Sequence, residues 1–341
     1  MKKNSLLTLI ELAVVALFIG SPLPVSSIAA PIELSYANFP PAPRFPCVQM
    51  ERWKEEVEKR TGGKVAIKTF PGGTLLGAQN MMDGVIAGRA DIGCLSMASQ
   101  PRRFIVTNAI ALPVGFPNAT MASLTLWDLY KKYRPREFAK VKALTMFTGA
   151  PANIYSKKQV KNLRDLKGLE LKASGTVAQV LKALGATPIW MPQSETPEAL
   201  QKGVVQGAAS SLETLMDFKH AKFCRYVTIF NGPVYPFAVV MNLEKWNSLP
   251  KDIQRVMDDL GAEQALWTGN FIDKHVGESV EWSKKNYKIK ITKLTERELA
   301  RWNKLVKPVI NKWITQAKAE GLPARAILRD VRVIKEYHSR F

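Results

Sequence analysis

Lys172 is the residue best placed to do chemistry in this chain. In LKGLELKASG, residues 166–175, Leu169 and Leu171 alternate as inward positions of a short strand, and Ala173-Ser174-Gly175 is the small-residue turn that ends it. A lysine where a strand runs out into a loop offers a compact positive charge to a carboxylate. The plainer reading is a lysine that solvates the strand end or pairs with a neighbouring acid such as Glu213. Small polar loops recur at other strand ends, from Ser96 to Ser99, from Ser174 to Thr176, and at Ser210-Ser211. In open α/β sheets, ligands sit outside the carboxyl ends of the strands, where such loops lie.

Arrangements that could break or make bonds are scarce. His220, His275 and His338 are scattered, and none stands at metal-ligand spacing from another His, Cys or carboxylate. There is no G-x-S-x-G elbow, phosphate loop or dinucleotide fingerprint, and the Pro-Gly-Gly at 71–73 reads as a turn because no G-K-[ST] follows. His275 falls inside a long helical pattern, where a packed or solvent-facing imidazole is the simpler account. The expectation is a binding protein rather than an enzyme, with no cofactor and no metal.

The beginning of the chain is a targeting segment by composition. Lys2 and Lys3 precede the apolar run LLTLIELAVVALFIG, and SSIAA supplies small residues before Pro31. Cleavage is expected near Ala29 or Ala30, which places the mature protein in the periplasm. No later segment is apolar enough to span a bilayer. The formal net charge is +20, and losing Lys2, Lys3 and Glu11 lowers it by only one. So basic a chain attracts anions and anionic surfaces, but export argues against nucleic acid as the partner. Cys47, Cys94 and Cys224 are odd in number, distant in sequence and flanked by apolar residues, so they read as buried thiols rather than a disulfide framework.

The elements that must position these loops alternate between strand and helix. IELSYANF is a strand, and a proline-rich entry leads to a helix from about Pro46 to Arg60, closed by Thr61-Gly62-Gly63. KVAIKTF, a helix around Met81 to Ile86, and ADIGCLS follow. The succession recurs with VAQVLKAL, TPIWM, a helix opened by Thr196-Pro197-Glu198, and VVQGAASS. Strand–helix alternation in two similar halves indicates an α/β chain of two lobes. From Leu249-Pro250 onward the pattern is nearly all helical. Its first helix lasts about 30 residues, beyond the usual globular length, and so crosses more than one domain.

Several blocks together resemble the solute-binding subunits of tripartite ATP-independent periplasmic (TRAP) transporters. They are WKEEVEKRTGGKVAIKTFPGGTLLG, GVIAGRADIG, LRDLKGLELKASG, LKALGATPIWMPQSETPEALQKGVVQGAASS and VVMNLEKWNSLPKDIQRVM, in the family's order over nearly the whole mature chain. The resemblance implies two α/β lobes joined by crossing strands, a long hinge helix touching both, and a helical C-terminus. It divides the chain into a signal peptide (1–30), a first lobe (31–149 with 237–275) and a second lobe (150–236 with 276–341, including the C-terminal helices). It also implies closure on a ligand, mostly an organic acid, and docking on small and large membrane permease subunits driven by an ion gradient.

In that family an arginine grips the carboxylate at the exit of the strand after the D-L-K-G turn. Lys172 holds that place here, exchanging a planar two-pronged donor for a single flexible charge. Other departures fall nearby. The family's G-V-V-D-G appears as GVVQG with Gln206. Ser210 stands where an asparagine is common, and Gln193 where an aromatic is. Ala152 lies where sialic-acid binders carry a second arginine, which argues against that ligand. The expected site is Lys172 as carboxylate partner, with Ser174, Ser96, Gln193, Ser210 and Ser211 as neutral donors or acceptors. Phe39, Trp190, Tyr235 and Phe237 supply aromatic walls for a monocarboxylate with an aromatic body or a hydroxy or keto group. Trp190, mid-strand by pattern, reads more simply as a core residue than as a ligand wall. A neutral or amino-alcohol solute, or presentation of ligand to a sensor kinase, are the alternatives. The expected state is a monomer.

Overall fold

The computed structural model describes residues 30–340, so the targeting segment lies outside the described residues. Among these residues, eleven strands follow in chain order: β1 (Ile32–Asn38), β2 (Val65–Phe70), β3 (Ile92–Ser96), β4 (Val141–Thr148), β5 (Asn153–Ser156), β6 (Glu170–Lys172), β7 (Thr187–Ile189), β8 (Gly207–Ser210), β9 (Tyr226–Ile229), β10 (Pro236–Asn242) and β11 (Lys290–Lys293). They form two sheets, ordered β2-β1-β3-β10-β4 and β11-β9-β5-β8-β6-β7. In the first sheet β1 runs parallel to β2 and β3, while β10 lies antiparallel between β3 and β4. In the second, β6 runs parallel to β7 and β8, and β5 lies antiparallel between β8 and β9. Each sheet with its helices is one α/β lobe, as the alternating pattern requires.

The chain crosses between the lobes twice, after β4 and before β10. The two crossings pair with each other: Gly149 N donates to Tyr235 O at 2.9 Å, Ala152 N to Pro233 O at 3.1 Å, and Gly232 N to Ala152 O at 2.9 Å. This narrow pair of segments joins two separate apolar cores. On one side Trp53, Phe147 and Val239 are buried, with Met81, Leu126 and Ala238 on the other face of the same sheet. In the second lobe Leu171, Val177 and Ala209 pack with Trp302 above one face, and Tyr155, Leu200 and Val227 above the other. β10, inside the first sheet, and β4, at its edge, are buried along nearly their whole length because both sheet faces are covered.

One helix of 37 residues, Lys251–Tyr287, spans both lobes. It packs on β4 and on the Ala119–Tyr133 helix of the first lobe, and near its C-terminal end on Thr214–Asp217 of the second. Between the helices of the C-terminal third, Lys290–Lys293 pairs in parallel with β9 as an edge strand. One expectation there needs correction. The last helix, Ala324–His338, does not pack with the second lobe. It buries Ile327 and Val331 in the first lobe's core beside the Ala119–Tyr133 helix. The preceding helix, Glu296–Ala319, bridges the two, with Trp302 and Val306 in one core and Trp313 and Ala317 in the other. All three cysteines are buried free thiols. Among the described residues no helix is long and apolar enough to cross a membrane.

Candidate functional site

The strand ends that the sequence marks out meet between the lobes. Lys172 closes β6, in register with Ala208 of β8 and Ile189 of β7, so its side chain leaves the sheet at the carboxyl edge. The turn beyond it needs Gly175, whose φ of +55° disfavours any other residue and whose absent side chain faces Ala98 of the first lobe. Ser174 caps the Gly175–Ala183 helix without bonding to it; its hydroxyl instead reaches Tyr235 at 3.5 Å. Ser210 ends β8 and Ser211 follows it. Ser96 ends β3 opposite Phe237 of β10. A single helical turn at Gln193–Glu195 follows Pro192.

All ten residues singled out from the sequence line one cavity of about 310 Å³ between the lobes. A second cavity of about 710 Å³ adjoins it and shares Phe39, Ser96, Ser174, Trp190, Gln193 and Tyr235 with it. The first-lobe wall is aromatic. Phe237 stacks on Phe39 at 6.4 Å and on Phe147 at 5.3 Å, and meets Phe45 edge-on at 5.5 Å. Trp190 corrects its core reading: β7 ends at Ile189, and the indole beyond it is 71% exposed at the cavity. Three residues of alternation are too few to carry the strand through the following Met191-Pro192.

Lys172 is only 5% exposed. Its ammonium donates to the Gln193 side-chain oxygen, and no carboxylate stands within ion-pair distance of it among the described residues. Burial alone pulls its pKa down to about 8, because a dry environment penalises the charged form. Glu213, the acid considered as its neutraliser, is not paired with it. Glu213 accepts a hydrogen bond from Ser211, and burial pushes its carboxyl up to about 7. Behind the cavity wall His220 is fully buried, with Nδ1 2.9 Å from the Tyr155 hydroxyl. Burial, with Lys172 and Arg44 adding to it, lowers that imidazole to about 3 and keeps it uncharged.

Four wall residues were not legible as such: Arg44, Phe45, Asp217 and Phe218. The Arg44 guanidinium lies 4.1 Å over the Phe218 ring and 3.7 Å from Asp217. Asp217 also accepts from His275 Nε2 at 2.9 Å, and that bond raises the His275 pKa. First lobe, second lobe and hinge helix thus meet through three side chains at the cavity. The proline-rich run before Arg44 was the only local signal, and it spoke of irregular backbone rather than of a partner more than a hundred residues away.

This architecture is shared. Residues 44–316 match the model of the bacterial extracellular solute-binding proteins, family 7, DctP. A TRAP periplasmic solute-binding protein of Desulfovibrio salexigens is 54% identical and superposes with a TM-score of 0.86, covering 90% of this chain and 96% of that one. A TRAP protein of Bordetella bronchiseptica, with (R)- and (S)-mandelate bound, is 28% identical with a TM-score of 0.82 over 90% of this chain and 99% of its own. The C4-dicarboxylate-binding protein DctB of Bacillus subtilis is 24% identical over 84% of this chain and 81% of its own length. These are binding proteins rather than enzymes. With two sheets, paired crossings and a helix bridging the lobes, this chain belongs to family 7 of the bacterial extracellular solute-binding proteins and is a TRAP transporter solute-binding subunit.

Proposed function

We propose that the protein captures a small organic acid, a monocarboxylate with an apolar or aromatic body, between its lobes in the periplasm. It then delivers the acid to small and large TRAP permease subunits for uptake driven by an ion gradient. The observation that carries this reading is the Lys172 ammonium, buried at the cavity wall with a neutral amide as its partner. A buried cation without a counter-charge is costly, and a carboxylate entering the cavity supplies one. With its pKa near 8 the ammonium is still mostly charged at neutral pH. Phe39, Phe237 and Trp190 offer the ligand's body an apolar surface. The mandelate held by the Bordetella bronchiseptica relative has that chemistry. Export rests on the basic-then-apolar start of the chain and its small-residue exit. Residues 31–149 with 237–275 and residues 150–236 are taken as the bodies that close on the ligand, with the paired crossings as hinge.

Thermal-shift measurement against a panel of organic acids and their neutral amides tests the reading, since a bound ligand stabilises by RT ln(1 + [L]/Kd). Acids are expected to raise Tm and their amides to leave it unchanged. In Lys172→Met the acid effect should vanish while the unliganded protein stays folded, because the change removes a buried charge. Unchanged acid affinity in that variant overturns the assignment.

A further inference from the structure

Arg44 is the cavity-wall group to which acid capture by Lys172 assigns no task. It stands at the start of the Phe45–Arg60 helix, in the lobe opposite Lys172, and lines both the cavity and the one adjoining it. Stacking over Phe218 at 4.1 Å holds its guanidinium in place. The approach to Asp217, at 3.7 Å, is an ion pair but too long for a hydrogen bond. Nε is buried with no hydrogen-bond partner, and among the described residues the guanidinium donates to nothing else. A guanidinium carries five donors in a fixed plane, and a donor kept dry without an acceptor is destabilising. An incoming acceptor would complete this group.

The charges around the cavity decide which kind of acceptor. Arg44 already faces Asp217, and His275, which shares Asp217, also faces Glu278 at 3.5 Å. That cluster is close to balanced. Among the described residues Lys172 has no carboxylate within ion-pair distance, and Glu213, in the same cavity wall, accepts from Ser211 and is held toward its neutral form by burial. One uncompensated cation calls for one negative charge on the ligand, which leaves Arg44 to bind oxygen that carries none. We propose that Arg44 is a specificity-determining residue that reads the neutral 2-oxo or 2-hydroxyl oxygen of a monocarboxylate whose carboxylate sits on Lys172. The preferred ligand is then an oxo or hydroxy monoacid bridged between the lobes. The proposal rests on the acid-receptor reading and adds to it the second anchor, on the other lobe.

Calorimetric titration with matched acids tests it: mandelate against phenylacetate, and pyruvate against propionate, each pair differing at the 2-position. The wild-type protein is expected to bind the oxygenated member about tenfold more tightly, the scale of one hydrogen bond to a charged group. In Arg44→Met that ratio should fall to about one while the plain acid still binds, and Arg44→Lys should restore part of it. A wild-type protein that does not discriminate overturns the proposal. So does a ratio that survives Arg44→Met, including uniform weakening of all four acids, which would make Arg44 only a contact between lobes. Acid binding that persists in Lys172→Met defeats the underlying reading instead. Failure of the wild-type protein to bind any of the four defeats both.

Discussion

Lys172 and Glu213 share a cavity, and burial moves them in opposite senses. The lysine's pKa falls from its ordinary 10.5 to about 8, so between those values the unfolded chain holds a proton that the folded chain has released. Its contribution to stability is therefore present above about 10.5 and is lost as pH falls through about 8. Acid binding has the reverse demand, because it needs the ammonium. Affinity for a carboxylate is expected to drop as pH rises through about 8, with titration calorimetry at pH 7 and pH 9 as the measurement; a flat profile would separate the lysine from the carboxylate. Glu213 rises from 4.5 to about 7, so the folded chain keeps a proton that the unfolded one loses across that window. Stability should fall as pH climbs from about 4.5 through about 7, and Glu213→Gln should flatten that slope in urea denaturation. Both effects come from desolvation, which depends on what packs above the strand end and not on the residues beside it in sequence.

The Lys251–Tyr287 helix shows how one element holds the site's frame. Gly269 lies where a methyl group would come within 2.5 Å of Thr120 Cα and 3.2 Å of Ala119 O, so two helices meet there backbone to backbone. One turn on, Asp273 accepts from Ala119 N at 2.7 Å and Thr120 N at 2.9 Å and caps the neighbouring helix. Two residues later His275 reaches Asp217 of the second lobe. Alanine ordinarily favours a helix interior over glycine by about 1 kcal/mol. Here the overlap with immovable backbone costs about 1–3 kcal/mol. Gly269→Ala is therefore expected to destabilise the protein in urea titration; a gain in stability would mean that this contact yields.

At the scale of the molecule, two lobes joined by a pair of crossings and a shared helix, in a strongly basic chain, suit the proposed capture of an anion. The formal charge of +20 should draw an anionic ligand in from solution. Trp190, largely exposed at the cavity, is a natural reporter of that encounter. The association rate constant for an acid, followed by stopped-flow fluorescence, is expected to fall several-fold from low salt to about 0.5 M, where the Debye length shrinks to a few ångströms. An insensitive rate would mean that the basic residues face away from the ligand's path.

The sequence by itself determined the two α/β halves, the long bridging helix, the family, and the ten residues that the structure gathers around one cavity. The halves and the helix are written in short-range pattern, alternation for strands and 3.6-residue spacing for helices. The family rests on the resemblance of sequence blocks in order, and the ten residues on that resemblance together with small polar residues where strands end. Only the tertiary structure decided that Lys172 is met by Gln193 and not by Glu213, that Trp190 faces outward, that Arg44 lies over Phe218, and that the last helix packs on the first lobe. Residue pattern specifies which face of an element is apolar. It does not specify which of several apolar or charged faces, a hundred residues away, will cover it. Burial of Lys172 and the approach of Arg44 both follow from that second choice, made when the lobes fold and meet.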